Sequence, residues 1–337
     1  MTRLRRSNPD CPGIRRYRRG RGFAYRDAEG RPVTPADRER IAALVIPPAW
    51  RDVWICPWPN GHIQAVGTDA AGRRQYLYHE QWRARRDREK FDRVLGLARC
   101  LPDVRRRLDE ALTGRGLTRE RVLACAVRLL DLGFFRVGGE EYAQANGTFG
   151  LATIRREHVR VRRGSVVFEY LSKGSLERVQ SIVDPAALAV VRALLRRRDD
   201  SPELLAWWAP AARRWCDVRS EHVNAFVREL TGGQYSAKDF RTWHATVLMA
   251  VALAVSAGAA GSPRSRARAV ANGYREVAYY LGNTPAVAKA AYVDPRVVDL
   301  YHGGVTVAGA LDRLGDGDGP ATHGAVEAAV LAMLQGE

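Results

Sequence analysis

Between Gly22 and Tyr78 the apolar positions come in short runs broken by turn residues. Phe23-Ala24-Tyr25 precedes Asp27-Ala28-Glu29-Gly30; Val53-Trp54-Ile55-Cys56 and Ile63-Gln64-Ala65-Val66 follow, and Gln75-Tyr76-Leu77-Tyr78 comes after Ala71-Gly72. Runs of that length, rich in β-branched and aromatic residues, predict strands, with one short helix over Pro35 to Leu44. From Gln81 to Arg93 nearly every residue is charged, which predicts a solvated helix or linker and sets a domain boundary there. Beyond it the period lengthens. Val122, Leu123, Ala126, Val127 and Leu130 recur at helical spacing and stop near Gly133.

The same rule predicts helices over Pro185 to Arg197, Val218 to Leu230, Ser236 to Ala257 and Pro263 to Leu281. Ser236 with Asp239 resembles a capping box, and Ser262-Pro263 supplies an N-cap followed by a proline at the first helical position. One island differs: Ala152 to Val161, Val166 to Leu171 and Leu176 to Val183 read as a three-stranded antiparallel sheet with turns at Arg163-Gly164 and Ser172-Lys173-Gly174-Ser175. The pattern therefore predicts an α+β chain in three parts. Residues 1–20 form a basic flexible arm, residues 21–90 a small β-rich N-terminal domain, and residues 91–337 a larger, mainly helical domain containing the three-stranded sheet.

Composition sharpens the class. In 337 residues, Lys+Arg 54 against Asp+Glu 37 gives a net charge of +17. An excess of that size is the footprint of a polyanion partner, because neutralising phosphates releases condensed counterions. No apolar leader follows the basic N-terminus, and the most apolar stretch, Ala245 to Ala260, reads as a buried core helix, so a soluble protein with no membrane association is expected. Cys11, Cys56, Cys100, Cys125 and Cys216 are odd in number and lack a C-x-x-C pair, which predicts neither a disulfide framework nor a zinc site. Four of the basic residues are lysine (Lys90, Lys173, Lys238, Lys289) and the other 50 are arginine. A surviving lysine is thus a place to look for a titratable ammonium, since guanidinium does not give up its proton.

Phosphate chemistry by metal is poorly supplied. Asp316, Asp318 and Glu327 fit three positions of a calcium loop whose centre Pro320 and Ala321 spoil, and there is no G-x-x-x-x-G-K-[ST] loop. Organic cations remain. Arg136 follows a helix stop, Lys173 sits at a hairpin tip, Lys238 and Arg241 share one face near a helix N-terminus, and Asn283-Thr284-Pro285 opens a helix that carries Tyr292. Taken singly, each has a plainer reading: Tyr292 as a buried amphipathic side chain, Arg136 as a cap or ion pair, Lys173 as a solvated turn, Lys238 and Arg241 as phosphate clamps, Asn283 as a turn residue. Tyr76 and Tyr78 alternate with Leu77, so both point to one sheet face.

Together, the blocks R-V-G-G-E-E-Y, Y-L-S-K-G-S, K-D-F-R-T-W and G-N-T-P-A-V-A-K-A-A-Y resemble, in order and spacing, the signature blocks of bacterial type IB DNA topoisomerases related to the poxvirus enzymes, across roughly residues 22–300. The resemblance implies a catalytic domain of the tyrosine recombinase/topoisomerase IB fold and a DNA clamp formed with the N-terminal domain. It implies Tyr292 as nucleophile for a 3′-phosphotyrosyl bond, Arg136 and Arg241 on the non-bridging oxygens, and Lys173 as general acid. It further implies Gln75, Tyr76, Tyr78, Tyr142 and Lys238 as DNA contacts, on a duplex relaxed by a monomer with no metal, no cofactor and no nucleotide. Many relatives have His where this chain has Asn283; an amide donates a hydrogen bond but does not titrate, so its expected task is transition-state stabilisation. His244 is expected on a helix surface or facing DNA. A tyrosine recombinase is the nearest alternative, disfavoured by Lys238-x-x-Arg241 in place of H-x-x-R; a non-enzymatic DNA-binding protein is the other. A cytoplasmic, nucleoid-associated location is expected.

Overall fold

The computed structural model describes residues 3–258, 261–315, 320 and 322–336. The chain divides into two units, Met1–Lys90 and Phe91–Glu337. The first is built on β1 (Ile14–Arg19), β2 (Gly22–Arg26), α1 (Pro35–Ala43), β3 (Arg51–Ile55), β4 (Ile63–Thr68) and β5 (Arg74–Tyr78). The strands form one antiparallel sheet in the order β2-β1-β3-β4-β5. Period-2 alternation sorts its faces: Ile14, Val53, Ile55 and Ala65 are buried with Ile41 of α1, while Trp54, Cys56 and Val66 form a second cluster.

The flexible arm expected over residues 1–20 is corrected: residues 14–19 are an internal strand of this sheet, paired to both β2 and β3. One of the arginines that suggested disorder, Arg16, is structural. Arg16 lies over the Phe23 ring at 4.1 Å and donates to the carbonyls of Pro47 (3.1 Å) and Trp50 (2.5 Å), and its planar fork stacks and chelates at once. Upstream, Arg5 N–H donates to Asn60 O at 2.9 Å and Ser7 Oγ to Ile63 O at 3.0 Å.

The charged stretch after Tyr78 is the start of α2 (Glu80–Leu112), 33 residues long, whose buried side runs Phe91, Val94, Leu95, Ala98, Leu101. The second unit then continues with α3 (Arg119–Gly133), α4 (Glu140–Asn146), β6 (Val159–Arg162), β7 (Ser165–Ser172), β8 (Leu176–Ile182), α5 (Pro185–Leu195), β9 (Ala206–Ala209), β10 (Arg214–Asp217) and α6 (Ser220–Thr231). It ends with α7 (Ala237–Ala257), α8 (Pro263–Leu281), α9 (Pro285–Ala291), α10 (Pro295–His302) and α11 (Ala325–Gln335). The three-stranded sheet has the expected order β6-β7-β8, with Lys173 in its second turn. Its first strand is shorter than the sequence pattern suggested: Leu151–Thr153 and Arg156–His158 are 3₁₀ turns, because Gly150 N–H and O are both taken by the Thr153 hydroxyl. The ribbon β9–β10 had no counterpart in the sequence reading.

Helix α7 is the axis of this unit. Among the described helices it alone has the length and apolarity to cross a membrane, yet 67% of that apolar window is buried in the protein, and α3, α6, α8, α10 and α11 all pack on it. Phe240 and Trp243 are fully buried on it, each contributing about 2–3 kcal/mol by removal from water. Its start is fixed by Asp239, whose carboxylate accepts from Ser236 N–H at 2.9 Å and from Arg93 at 2.8 Å. That pins where Lys238 and Arg241 stand.

Candidate active site

Backbone hydrogen bonds hold the segment that carries Arg136. Helix α3 stops at Phe134 in the left-handed conformation (φ 54°), and the following loop lies against residues 148–152, with Leu151 N–H on Arg136 O at 2.8 Å and Ala152 N–H on Val137 O at 2.7 Å. Two glycines permit the approach: a Cβ on Gly150 would sit 2.6 Å from Gly138 N and 2.8 Å from Arg136 O. We expect Gly150→Ala to cost about 1–3 kcal/mol by overpacking against backbone and to depress activity by displacing Arg136. Thermal denaturation beside Gly139→Ala, whose Cβ would meet nothing within 4 Å, checks this.

Three guanidiniums converge on the C-terminal end of α8. Arg178 of β8 donates to Tyr279 O at 2.8 Å and Tyr280 O at 2.6 Å, Arg241 of α7 to Leu281 O at 2.8 Å, and Arg136 to Gly282 O at 2.8 Å. Orphan carbonyls and the negative end of the helix dipole reward such partners, which is how two like charges are kept side by side. Arg241 also donates to Phe134 O, and Arg136 to Asn283 Oδ1. Burial and the charge of Arg136 pull Arg241 down to about 10, so it stays charged at neutral pH. Arg241 has no carboxylate partner among the described residues, and its Nε is buried without a hydrogen bond. Because Asn283 turns its oxygen to Arg136, its Nδ2 is the free donor, also buried and unpartnered.

Tyr292 caps the C-terminal end of α9, its ring 5.3 Å from the Arg241 guanidinium carbon. Arg136, Lys173, Lys238, Arg241 and Tyr292 line one cavity of ≈ 290 Å³. Lys173 and Lys238 are exposed at its mouth, consistent with a turn tip and the solvent side of the first turn of α7. Burial pushes the Tyr292 phenol up, but the charge and hydrogen bond of Arg241, with the charges of Arg136 and Lys238, outweigh it and hold the pKa below the usual 10.0. Below the folded-state value both folded and unfolded phenols are protonated, so the shift adds no stability at neutral pH; its contribution grows only above that value. It does bear on rate. Strand cleavage limited by phenolate will climb with pH and level off below the ordinary tyrosine range, and Arg241→Ala will move that limb upward in a rate–pH profile.

Several residues stand elsewhere than expected. His244 is neither on a surface nor in the lining of that cavity: it is 5% exposed, 3.4 Å from Asp131 Oδ1 and edge-on to the Phe134 ring, because its face of α7 is covered. Glu327 is not a loop ligand but is buried, chelated by Arg105 and bound by Trp243 Nε1 at 2.8 Å; Asp316 and Asp318 lie outside the described residues. Tyr142 belongs to α4, and its side chain lies outside those described. In the first unit, Tyr76 and Tyr78 do share a face, stacked at 6.0 Å and about two-fifths exposed, with Arg74 over Tyr76 at 5.7 Å. Gln75 projects to the other face and donates to Asp69 at 3.0 Å, so it is not grouped with them.

Sequence reasoning missed Arg178 and Thr246. The Thr246 hydroxyl accepts Asp294 N–H at 3.2 Å and faces Tyr292 O at 3.5 Å, tying the backbone of Tyr292 to α7. Neither carries a local signal, since each works through a partner distant in sequence.

Comparison with known proteins gives the family. Residues 79–300 match the catalytic core of eukaryotic DNA topoisomerase I, and residues 22–69 the N-terminal domain of bacterial DNA topoisomerase IB. DNA topoisomerase 1B of Acanthamoeba polyphaga mimivirus is 29% identical over 86% of this chain and 87% of its own length. DNA topoisomerase 1B of vaccinia virus (strain Copenhagen) is 23% identical over 70% and 71%, and DNA topoisomerase 1 of Schizosaccharomyces pombe 27% identical over 58% and 22%. The class is that of isomerases acting on DNA topology. The chain belongs to the eukaryotic-type DNA topoisomerase I family, as a type IB enzyme.

Proposed function

We propose that this topoisomerase relaxes supercoiled duplex DNA through Tyr292, and that the catalytic unit has the tyrosine recombinase/topoisomerase IB fold. The Tyr292 oxygen attacks the scissile phosphorus, a P–O bond forms to the phenol, and the P–O bond to the 5′ carbon's oxygen breaks. The phenolic proton leaves to solvent, and Lys173 delivers a proton to the departing 5′-oxygen. Arg136, Arg241 and the Nδ2 of Asn283 stabilise charge on the non-bridging oxygens; their donors are fixed beforehand and need no reorganisation. Lys238 assists at the same phosphate or its neighbour, and Tyr76, Tyr78 and Tyr142 contact the duplex. Because the phosphodiester energy is kept in the phosphotyrosine, religation needs no ATP. The enzyme acts as a monomer in the nucleoid-associated cytoplasm.

The observation that carries this reading is the single cavity lined by one phenol, two guanidiniums and two ammonium groups from four separate segments. Relaxation of a plasmid with no special site, in EDTA and without nucleotide, tests it. Relaxation of positive and negative supercoils is expected; activity confined to a particular DNA site would favour a recombinase instead.

A further inference from the structure

Beside Phe134, whose ring is edge-on to His244, three potential ligands meet that the mechanism does not use. Asp131 of α3, His244 of α7 and His323 just before α11 each offer one ligand atom, all within 4.8 Å of one another. We propose that they form a site for one divalent transition-metal ion of the zinc class. His244 is 5% exposed, and among the described residues neither of its ring nitrogens makes a well-formed hydrogen bond. A fully buried imidazole left with two unsatisfied nitrogens is costly unless something fills the gap. Its Nε2 stands 3.4 Å from Asp131 Oδ1, outside hydrogen-bond geometry. That spacing is close to the edge of about 3.3 Å between two ligands that each bind tetrahedral zinc at roughly 2.0–2.1 Å.

Charge points the same way. Arg105 donates to both oxygens of Asp131 (2.8 and 3.0 Å) and to Glu327, so one guanidinium faces two buried carboxylates. Among the described residues that leaves one negative charge in excess, which favours a cation. Arg105 meanwhile orients Asp131 as second-sphere partners of metal ligands do, leaving further lone pairs on each oxygen. Two imidazoles and a carboxylate suit zinc, cobalt or copper over magnesium or calcium, and the partly exposed His323 leaves the fourth position to water. The ion would tie the segment preceding α11 to α3 and α7. It takes no part in strand transfer, so the reading of the active site and this one stand or fall separately.

Cobalt(II) is the probe, added to chelator-stripped full-length protein. Wild type is expected to take up one equivalent with visible d–d bands, to lose them to zinc, and to melt at higher temperature with metal than without. His323→Ala, at a partly exposed position, should lose the bands and at least tenfold in cobalt affinity while relaxing DNA normally in chelator. His323→Cys should keep one equivalent and add a thiolate-to-cobalt charge-transfer band. Absence of stoichiometric binding by wild type, binding undiminished in His323→Ala, or no thiolate band in His323→Cys would each overturn the proposal.

Discussion

A Tyr292→Phe enzyme will bind supercoiled plasmid with wild-type affinity and relax none of it. The substitution removes one oxygen from a half-buried ring and leaves Arg136, Arg241, Lys173 and Lys238 around the same cavity. The ring's contact with the Arg241 guanidinium survives, since phenylalanine presents the same π face. Folding and DNA affinity, which rest on the core and on a net charge of +17, are therefore untouched. On the proposed mechanism what is lost is the nucleophile, and loss of a sole nucleophile costs on the order of 10⁶-fold, below detection in a relaxation assay. Wild type and mutant are compared by gel relaxation in EDTA and by filter binding at equal salt. Residual relaxation by the mutant would move the nucleophile to another residue.

The second large effect is expected at Lys173. Lys173→Arg keeps a cation at the tip of the β7–β8 turn, which the left-handed Gly174 and Ser175 (φ 82° and 55°) shape independently of the side chain. A guanidinium there can still bind phosphate but does not donate its proton, so strand cleavage should fall by about 10²–10⁴-fold, the scale of a lost general acid. A substrate with sulfur in place of the bridging 5′-oxygen expels a thiolate that needs no proton. On that substrate the mutant should approach the wild-type rate in single-turnover cleavage. Equal defects on both substrates would make Lys173 a phosphate clamp.

Much of this site was legible in the sequence because its members are chemically specific residues at element ends. Pro263, Pro285 and Ser236 marked helix starts that the structure reproduces, and Lys238, Arg241 and Tyr292 line one cavity. The failures share a cause: the deciding partner was far away in the chain. Arginine density hid the strand Ile14–Arg19, because what orders it is pairing to β3 and the carbonyls near Pro47. His244 read as a surface residue because nothing near it announces the buried Asp131 or the cover of α11. Gly138 and Gly150 look like two ordinary loop glycines until they touch. The anchoring of Arg136 and Arg241 on the end of α8 was likewise invisible, since backbone carbonyls have no sequence signature.

The most direct test is to find the atom that holds the DNA. Denaturing the enzyme during turnover, digesting it and sequencing the DNA-linked peptide by mass spectrometry reports the residue bonded to the 3′-phosphate. Linkage at Tyr292 is predicted. Linkage at the more exposed Tyr279 or at Tyr280, both on α8, or no covalent adduct at all, would contradict the account.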